Sequence, residues 1–537
     1  MGTVAGCSQW VRAMLARITT ALALCSAALL TGCNDHPLKE VDLTRNVQTI
    51  VDVDIAPLRN VDILFVIDNS GSMAAEQANL ARNLAPFIET LEREDVAADY
   101  RIAVTTTDTI GCAASGAEDG NFESRSCRAR IDEFETAPGF QPAENARDSA
   151  CRSLCPESLA ELPIVPSRIE GQANPAERPW LESVLGTTNL ADGVSMTDAF
   201  ACMGPQGLRG CGYETPLKAM RRALIRAENS GENEFGFLRD DAILLVVIVT
   251  DEADCSIQPG TSNDLFVGED GSSARSEVCW NAGVRCEDLG DGTFDCVSAN
   301  VDRDGNEVDA QNALLTPVEE YVELLEAIAE EKRGVLGADV PPVMVSVVGG
   351  VPTGFPESTL QYTRNSPFAD EFGIDAGCSS SNGEAEPPVR LLEFAEAFAP
   401  DGEPASVSSV CAESYGPAFT QLADTLIEAF EPACSDSCLA GGPSHDCVFS
   451  QAIPGQGDVP IPTCDRTDAG EPTLPDGADA CVDVAVGAGR AEACIEQRAP
   501  VEFRPLYRAG VPRVAGTRIE ATCSVSENAA LDCPWVQ

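Results

Sequence analysis

The chain has 537 residues and a formal charge of −51, with 86 acidic against 35 basic side chains, two histidines and 23 cysteines. So acidic a surface, with no basic stripe to offset it, excludes recognition of nucleic acid or of anionic membranes by the folded body. Two histidines, and lysine only at Lys39, Lys218 and Lys332, leave Ser-His-Asp and Ser-Lys catalysis without an obvious base.

Arg12 and Arg17 are the only charges before an apolar stretch from Ile18 to Leu30, too short to span a bilayer comfortably. It ends in Leu30-Thr31-Gly32-Cys33, which resembles the lipobox of bacterial lipoproteins. That resemblance implies cleavage before Cys33 and acylation of its thiol and new amino terminus. The plainer readings are an ordinary secretory signal with an incidental cysteine, or a short anchor. Residues 1–32 are therefore expected to be a signal peptide, and 33–60 a polar tether in which Val51, Val53 and Ile55 alternate like an edge strand. No later segment approaches the ~18 apolar residues of a membrane span. Lipid is thus the expected anchor, and the bacterial cell envelope the expected location, facing the periplasm or outward. With Cys7 and Cys25 lost in the signal and Cys33 lipidated, an even number of cysteines remains, as an oxidising compartment permits. Zinc is the rival explanation, but the Cys151/Cys155 and Cys434/Cys438 pairs lack the spacing of common zinc modules. Disulfides are expected.

From 61 to 432 apolar strand-like runs alternate with amphipathic helical segments, the pattern of a mainly parallel, Rossmann-like α/β sheet flanked by helices. Ile63–Ile67 is the first strand. A helix follows with Leu80, Leu84, Phe87, Ile88 and Leu91 on one face and a kink at Pro86. Tyr100–Thr106 reads as a strand, and Pro216–Glu228 as a helix with Leu217, Met220, Leu224 and Ile225 inward. Ala242–Thr250 is the best central strand. Pro317–Lys332 is helical, Val343–Val348 is a strand ended by Gly349-Gly350, and Val389–Phe398 and Gly416–Phe430 are helices. Inserts at about 110–212, 253–314 and 352–387 are rich in Gly, Pro, Asp and Cys, so disulfides rather than a core are expected to hold them. Residues 433–537 carry eight cysteines, and Glu502–Tyr507 and Arg518–Val525 alternate like strands, the pattern of a small Cys-rich β module.

The chemistry is concentrated where the first strand ends. Asp68-Asn69-Ser70-Gly71-Ser72 places one carboxylate and two hydroxyls on a tight turn, hard oxygen ligands suited to Mg²⁺, Mn²⁺ or Ca²⁺. Ligands of open α/β sheets bind beyond the carboxyl ends of the strands, and Asp251 follows the Ala242–Thr250 run at that same rim. The turn resembles the metal-ion-dependent adhesion site, D-x-S-x-S, of the von Willebrand factor A family. Asp251 matches that family's acidic residue after a later strand, with Thr250-Asp251-Glu252 in place of Thr-Asp-Gly. The remaining family ligand is a threonine before a helix; Thr215, in Glu214-Thr215-Pro216, fits, with Thr188 as the fallback. The resemblance implies near-octahedral coordination by Ser70, Ser72 and Thr215, with Asp68 and Asp251 partly through waters and one position open to a partner's carboxylate. The order of segments, with lipobox and Cys-rich tail, also looks like the secreted A-domain lipoproteins of myxobacteria.

Each residue also has a plainer reading. Asp68, Ser70 and Ser72 fit an Asx/Ser turn, Thr215-Pro216 fits a helix cap, and Asp251 fits a turn. Asp251-Glu252-Ala253-Asp254 spells a helicase box, but a chain with no Gly-Lys dipeptide has no phosphate loop to go with it. Asn300–Asn306 echoes a calcium loop, with Gln311 where the bidentate Glu belongs. The expectation is a lipid-anchored envelope protein, not an enzyme, binding a protein or glycan partner through a divalent cation. The alternatives are a structural envelope protein with a vestigial site, and a metal-dependent hydrolase using Glu252 or Asp254 as base.

Overall fold

The structure is a computed structural model that describes residues 50–55, 59–94, 96–109, 118–138, 143–169, 174–212, 214–266, 275–336, 340–381, 383–400, 402–430, 433–441, 445–467, 470–508, 511, 513–514 and 517–536. The expected signal peptide and Cys33 lie outside them.

A seven-stranded sheet organises the α/β part, in the spatial order Ser406–Ser409, Val343–Gly349, Ile243–Val249, Asn60–Ile67, Asp99–Thr106, Leu181–Val184, Thr187–Thr188. The first five are mutually parallel, and the last two add antiparallel. Strands buried on both faces need apolar residues at successive positions, which is why Ile243–Val249 reads as an unbroken apolar run. Alternate side chains point to opposite faces. Ile63, Phe65 and Ile67 pack under the helix Ala74–Leu91 and the helix Gly416–Glu428, whose Phe87 and Phe419 meet Phe65 ring to ring. Leu64 and Val66 face the helices Pro216–Glu228 and Val318–Leu336.

The structure departs from the sequence reading in several places. The first helix runs through Pro86, and Ile225 is 47% exposed, because its neighbour Leu224 takes the inward position. The edge strand Ser406–Ser409 is too short and too polar to announce itself. Within 110–212, disulfides Cys127–Cys151 and Cys155–Cys202 are present, but Phe134, Leu159, Leu181 and Phe200 also join the main core. The segment from Leu181 to Thr188 widens the sheet itself. In the Asn300–Asn306 loop the Asp302 carboxylate accepts the amides of Asp304 and Asn306, both at 2.9 Å, and the Asn306 side chain.

In the 352–387 insert, Asp375 gathers the hydroxyls of Thr363 and Ser366 and the amides of Asn365 and Ser366. Burial acts to raise its pKa, but these hydrogen bonds outweigh it and hold the group at about 2. A carboxyl held below its unfolded value stabilises the fold above pH ~4 and stops doing so as pH falls through the folded value. Asp375→Asn is thus expected to melt below the parent at pH 6, with the gap closing between pH ~4 and ~2 in thermal melts.

Two antiparallel sheets, built from strands beyond the helix Gly416–Glu428 together with Ile50–Ile55, form a β module. One has the order Ala433–Ser435, Val501–Tyr507, Ala480–Val486; the other, Ile50–Ile55, Arg518–Ser524, Cys447–Ile453, Gly457–Ile461. The strand Ile50–Ile55 is therefore an edge strand of a sheet whose other members lie some 400 residues downstream by their numbering, in register from Ile50↔Ser524 to Ile55↔Ile519. Disulfides Cys434–Cys494, Cys438–Cys533, Cys447–Cys523 and Cys464–Cys481 pair all eight cysteines of this region, around a core of Leu439, Phe449, Val482 and Phe503. The module meets the α/β part at the amino-terminal ends of its strands. There the guanidinium groups of Arg59 and Arg513 lie over the Tyr507 ring, and Arg513 pairs with Asp99. The opposite, carboxyl ends of the strands are left to the site.

Candidate functional site

Three adjacent parallel strands end at Ile67, Thr106 and Val249. The strand Asn60–Ile67 is followed in the chain by its neighbour on one side and flanked on the other by Ile243–Val249, so it borders the topological switch point where a crevice opens. Asp68 donates its backbone N–H to the Val249 carbonyl at 2.9 Å, which ties the first turn to the turn holding Thr250 and Asp251.

Asp68 is fully buried. One carboxyl oxygen accepts the Ser70 amide at 2.8 Å, and the other accepts the Thr250 hydroxyl at 2.6 Å. The Ser70 and Ser72 hydroxyls lie 3.0 Å apart. The Asp251 carboxyl interacts with the Ser72 side chain and with the Asp68 carboxyl, so two turns 180 residues apart in number bring their oxygens together. Its Oδ1 is buried and has no hydrogen-bond partner among the described residues.

Thr215 approaches from a third direction. Its hydroxyl donates to the Thr107 carbonyl at 2.6 Å and meets the Thr109 hydroxyl at 2.8 Å. It does not cap the helix it precedes; Asp254 and Ser256 accept the Leu217 and Lys218 amides instead. The loop before it is drawn to the Asp68 turn by Asp108, which accepts the Asn69 side-chain amide at 2.9 Å and the Cys211 backbone amide at 2.8 Å. Gly210 allows that approach: a Cβ there would sit 2.5 Å from the Asn69 side-chain oxygen. Thr188 lies elsewhere. It pairs with Ser183, which pairs with Tyr100 at the start of its strand, on the far pole of the sheet.

Residues outside the expected set also converge here. Glu76, Asp108, Glu214 and Glu386 are buried, and Glu252 is half-buried. Glu214 contacts the Thr107 hydroxyl with Oε2, while its Oε1, Glu76 Oε2 and Glu386 Oε1 are buried without hydrogen-bond partners. Asp108 was findable by the rule that located Asp251, because it too follows the carboxyl end of a strand. Glu76, Glu214 and Glu386 carried no local signal, since only packing brings them in.

Burial drives every one of these carboxyls upward, since a charged form loses its hydration. Asp108 is pushed to about 6, and Glu76 and Glu386 to about 8. Asp68, Glu214, Asp251 and Glu252 are raised as well; the charges acting on Asp251 are Asp68 and Glu76, and those on Glu252 include Asp251 and Glu386. Carboxyls that face one another out of water stay charged together only if a cation or a proton lies between them. Asp254, by contrast, is fully engaged: Arg390 pairs with it at 3.1 Å, the Leu217 amide and Ser256 hydroxyl donate to it, and both ion-pair partners are buried.

Among the described residues no three His, Cys, Asp or Glu side chains gather as a metal cluster. The Asp68, Ser70, Ser72 and Asp251 oxygens, with the unpartnered Asp251 Oδ1, fit a hard divalent ion by donor chemistry.

No protein-family model matches the sequence, and no curated protein matches it. Solved structures similar to this chain include the pilus adhesin SpaC of Lactobacillus rhamnosus GG (8% identity, 88% of this chain and 40% of that chain, TM-score 0.29). They also include a von Willebrand factor type A protein of Catenulispora acidiphila (11%, 89% and 60%, TM-score 0.25) and the pilus adhesin RrgA of Streptococcus pneumoniae (9%, 89% and 58%, TM-score 0.27). The chain spans less than two thirds of the length of each.

Proposed function

We propose that this chain is a von Willebrand factor A-type protein of the bacterial cell envelope, anchored by lipid on Cys33, that grips a protein or glycan partner through a divalent cation. Ser70, Ser72 and Thr215 would hold the ion by hydroxyl oxygens, and Asp68 and Asp251 by their carboxyls. Mg²⁺ is the first choice by ligand type, with Mn²⁺ and Ca²⁺ behind it. The cation supplies a Lewis-acidic position for an oxygen of the partner, a carboxylate above all. One observation carries the reading: the buried carboxyls of Asp68 and Asp251 meet beside the paired hydroxyls of Ser70 and Ser72, leaving Asp251 Oδ1 unpartnered. Binding rather than turnover is favoured because Asp254, one of the two candidate bases, is held by Arg390.

Calorimetric titration of the purified mature protein with Mg²⁺ tests this. The parent is expected to bind one ion, and Asp68→Ala to bind about 100-fold more weakly, at or beyond the upper end of losses seen for outer-shell partners. The circular dichroism of the variant should match the parent, because removing one of two facing carboxyls relieves repulsion while losing two hydrogen bonds. Equal titration heats for parent and variant would overturn the proposal.

A further inference from the structure

The turn that carries Asp251 is held from within by Thr250, whose hydroxyl accepts the Glu252 amide at 3.1 Å, and from outside by the segment that follows a separate hairpin, Cys378–Ser380 paired with Gly383–Ala385. Glu386, directly after the hairpin, is 1% exposed and brackets the turn from both sides. Its backbone N–H donates to the Asp251 carbonyl at 2.8 Å, and its Oε2 accepts the Ala253 amide at 2.7 Å. The two bonds fix the peptide units on either side of Glu252 and so the direction in which the Asp251 side chain leaves the backbone.

The hairpin is pinned in its turn. Gly377 donates to Ala385 at 2.8 Å, and Cys378 is bonded to Cys411, just before the last helix. Its backbone lies directly on the Gly349-Gly350 turn: a Cβ at Gly350 would sit 1.9 Å from the Glu386 carbonyl oxygen, and one at Gly377 would sit 2.0 Å from the Gly350 oxygen. Gly383 lies against Glu76, another carboxyl of the site. This contact needs glycine at both positions, and the strand end at Gly349-Gly350 and the hairpin fit only as a pair.

From this arrangement we infer that Glu386 is a positioning residue for the proposed cation site: its carboxyl, acting as a hydrogen-bond acceptor, sets the 251–253 turn and with it the Asp251 ligand. The inference rests on the cation reading above and adds to it a residue outside the proposed ligand set. Outer-shell groups that orient a ligand are typically worth about 10–100-fold in metal affinity.

Glutamine at 386 keeps the side-chain oxygen that accepts the Ala253 amide but cannot ionise, whereas alanine loses both the oxygen and the ionisable group. Titrated with Mg²⁺, Glu386→Ala is expected to bind about 10–100-fold more weakly than the parent, and Glu386→Gln within about threefold of it. Equal weakening in both variants would assign the effect to charge, and parent-like affinity in Glu386→Ala would assign none; either result overturns the inference. Hydrogen exchange gives a readout independent of the ion. The Ala253 amide should exchange faster in Glu386→Ala and stay protected in Glu386→Gln. If the parent takes up no Mg²⁺ yet this exchange pattern appears, the cation reading fails while the clamp on the turn stands.

Discussion

Arg390→Ala is expected to lower the stability of the chain by about 3–5 kcal/mol, because it strands a buried carboxylate. Asp254 is fully buried, with Arg390 Nε at 3.1 Å, and the same guanidinium donates to the Thr316 carbonyl at 2.7 Å. Removing the arginine leaves Asp254 charged out of water and the Thr316 carbonyl without its donor. The damage reaches the site, since Asp254 accepts the Leu217 amide in the first turn of the helix that Thr215 precedes. Urea denaturation should show the midpoint falling without a change in slope. Arg390→Met combined with Asp254→Leu should recover most of the loss, because an apolar pair of similar volume removes the uncompensated charge. A loss under about 1 kcal/mol in Arg390→Ala would place the pair among solvated surface bridges instead.

Cys438→Ser with Cys533→Ser is expected to cost about 3 kcal/mol on the chain-entropy account. The two cysteines are 95 residues apart, but Cys447–Cys523 spans most of that interval, so their bond closes a loop of only about 20 residues. Breaking Cys286–Cys296, with a separation of 10, should cost about 0.6 kcal/mol less, since the entropy of the released loop grows with the logarithm of its length. Denaturation of the two double variants side by side measures the difference. Amides of Cys447–Ile453 and Arg518–Ser524 should lose protection in the first variant and keep it in the second. Equal losses would mean that the Cys438–Cys533 bond releases no more denatured-chain entropy than the short one.

Much of the parallel sheet was legible because its strands are written in residues that can do little else. Ile243–Val249 is apolar at every position, which suits a strand covered on both faces, and the helices beside it repeat their apolar residues at three and four. The short edge strands were not legible. Leu-Glu-Ser-Val and Ser-Val-Ser-Ser carry no decisive pattern, and it is hydrogen bonding to a neighbour already in place that makes them strands. The same holds for Ile50–Ile55, whose alternation marked a strand but not a partner near residue 520.

Within the site, the division follows the same line. Chemical identity and chain position singled out Asp68, Ser70, Ser72 and Asp251, because strand ends with oxygen-bearing turns are local features, whereas Thr215 was named only by the family resemblance. The direction of each oxygen was not local. Whether Thr215 or Thr188 stands near Asp68 depended on which end of the sheet each loop reaches, and Asp108 ties the loop just ahead of Thr215 to the Asp68 turn. Nor did anything in Ala385-Glu386-Pro387 announce a residue bracketing Asp251. By itself the sequence determined the four long parallel strands, the cysteine supply and most of the candidate ligands, since periodicity and side-chain chemistry are properties of neighbours along the chain. Only the tertiary structure decided the disulfide pairing, the strand borrowed from the amino-terminal region and the crowd of carboxyls around Asp251. These depend on contacts between segments tens to hundreds of residues apart, and their free energy appears only once the chain has closed those loops.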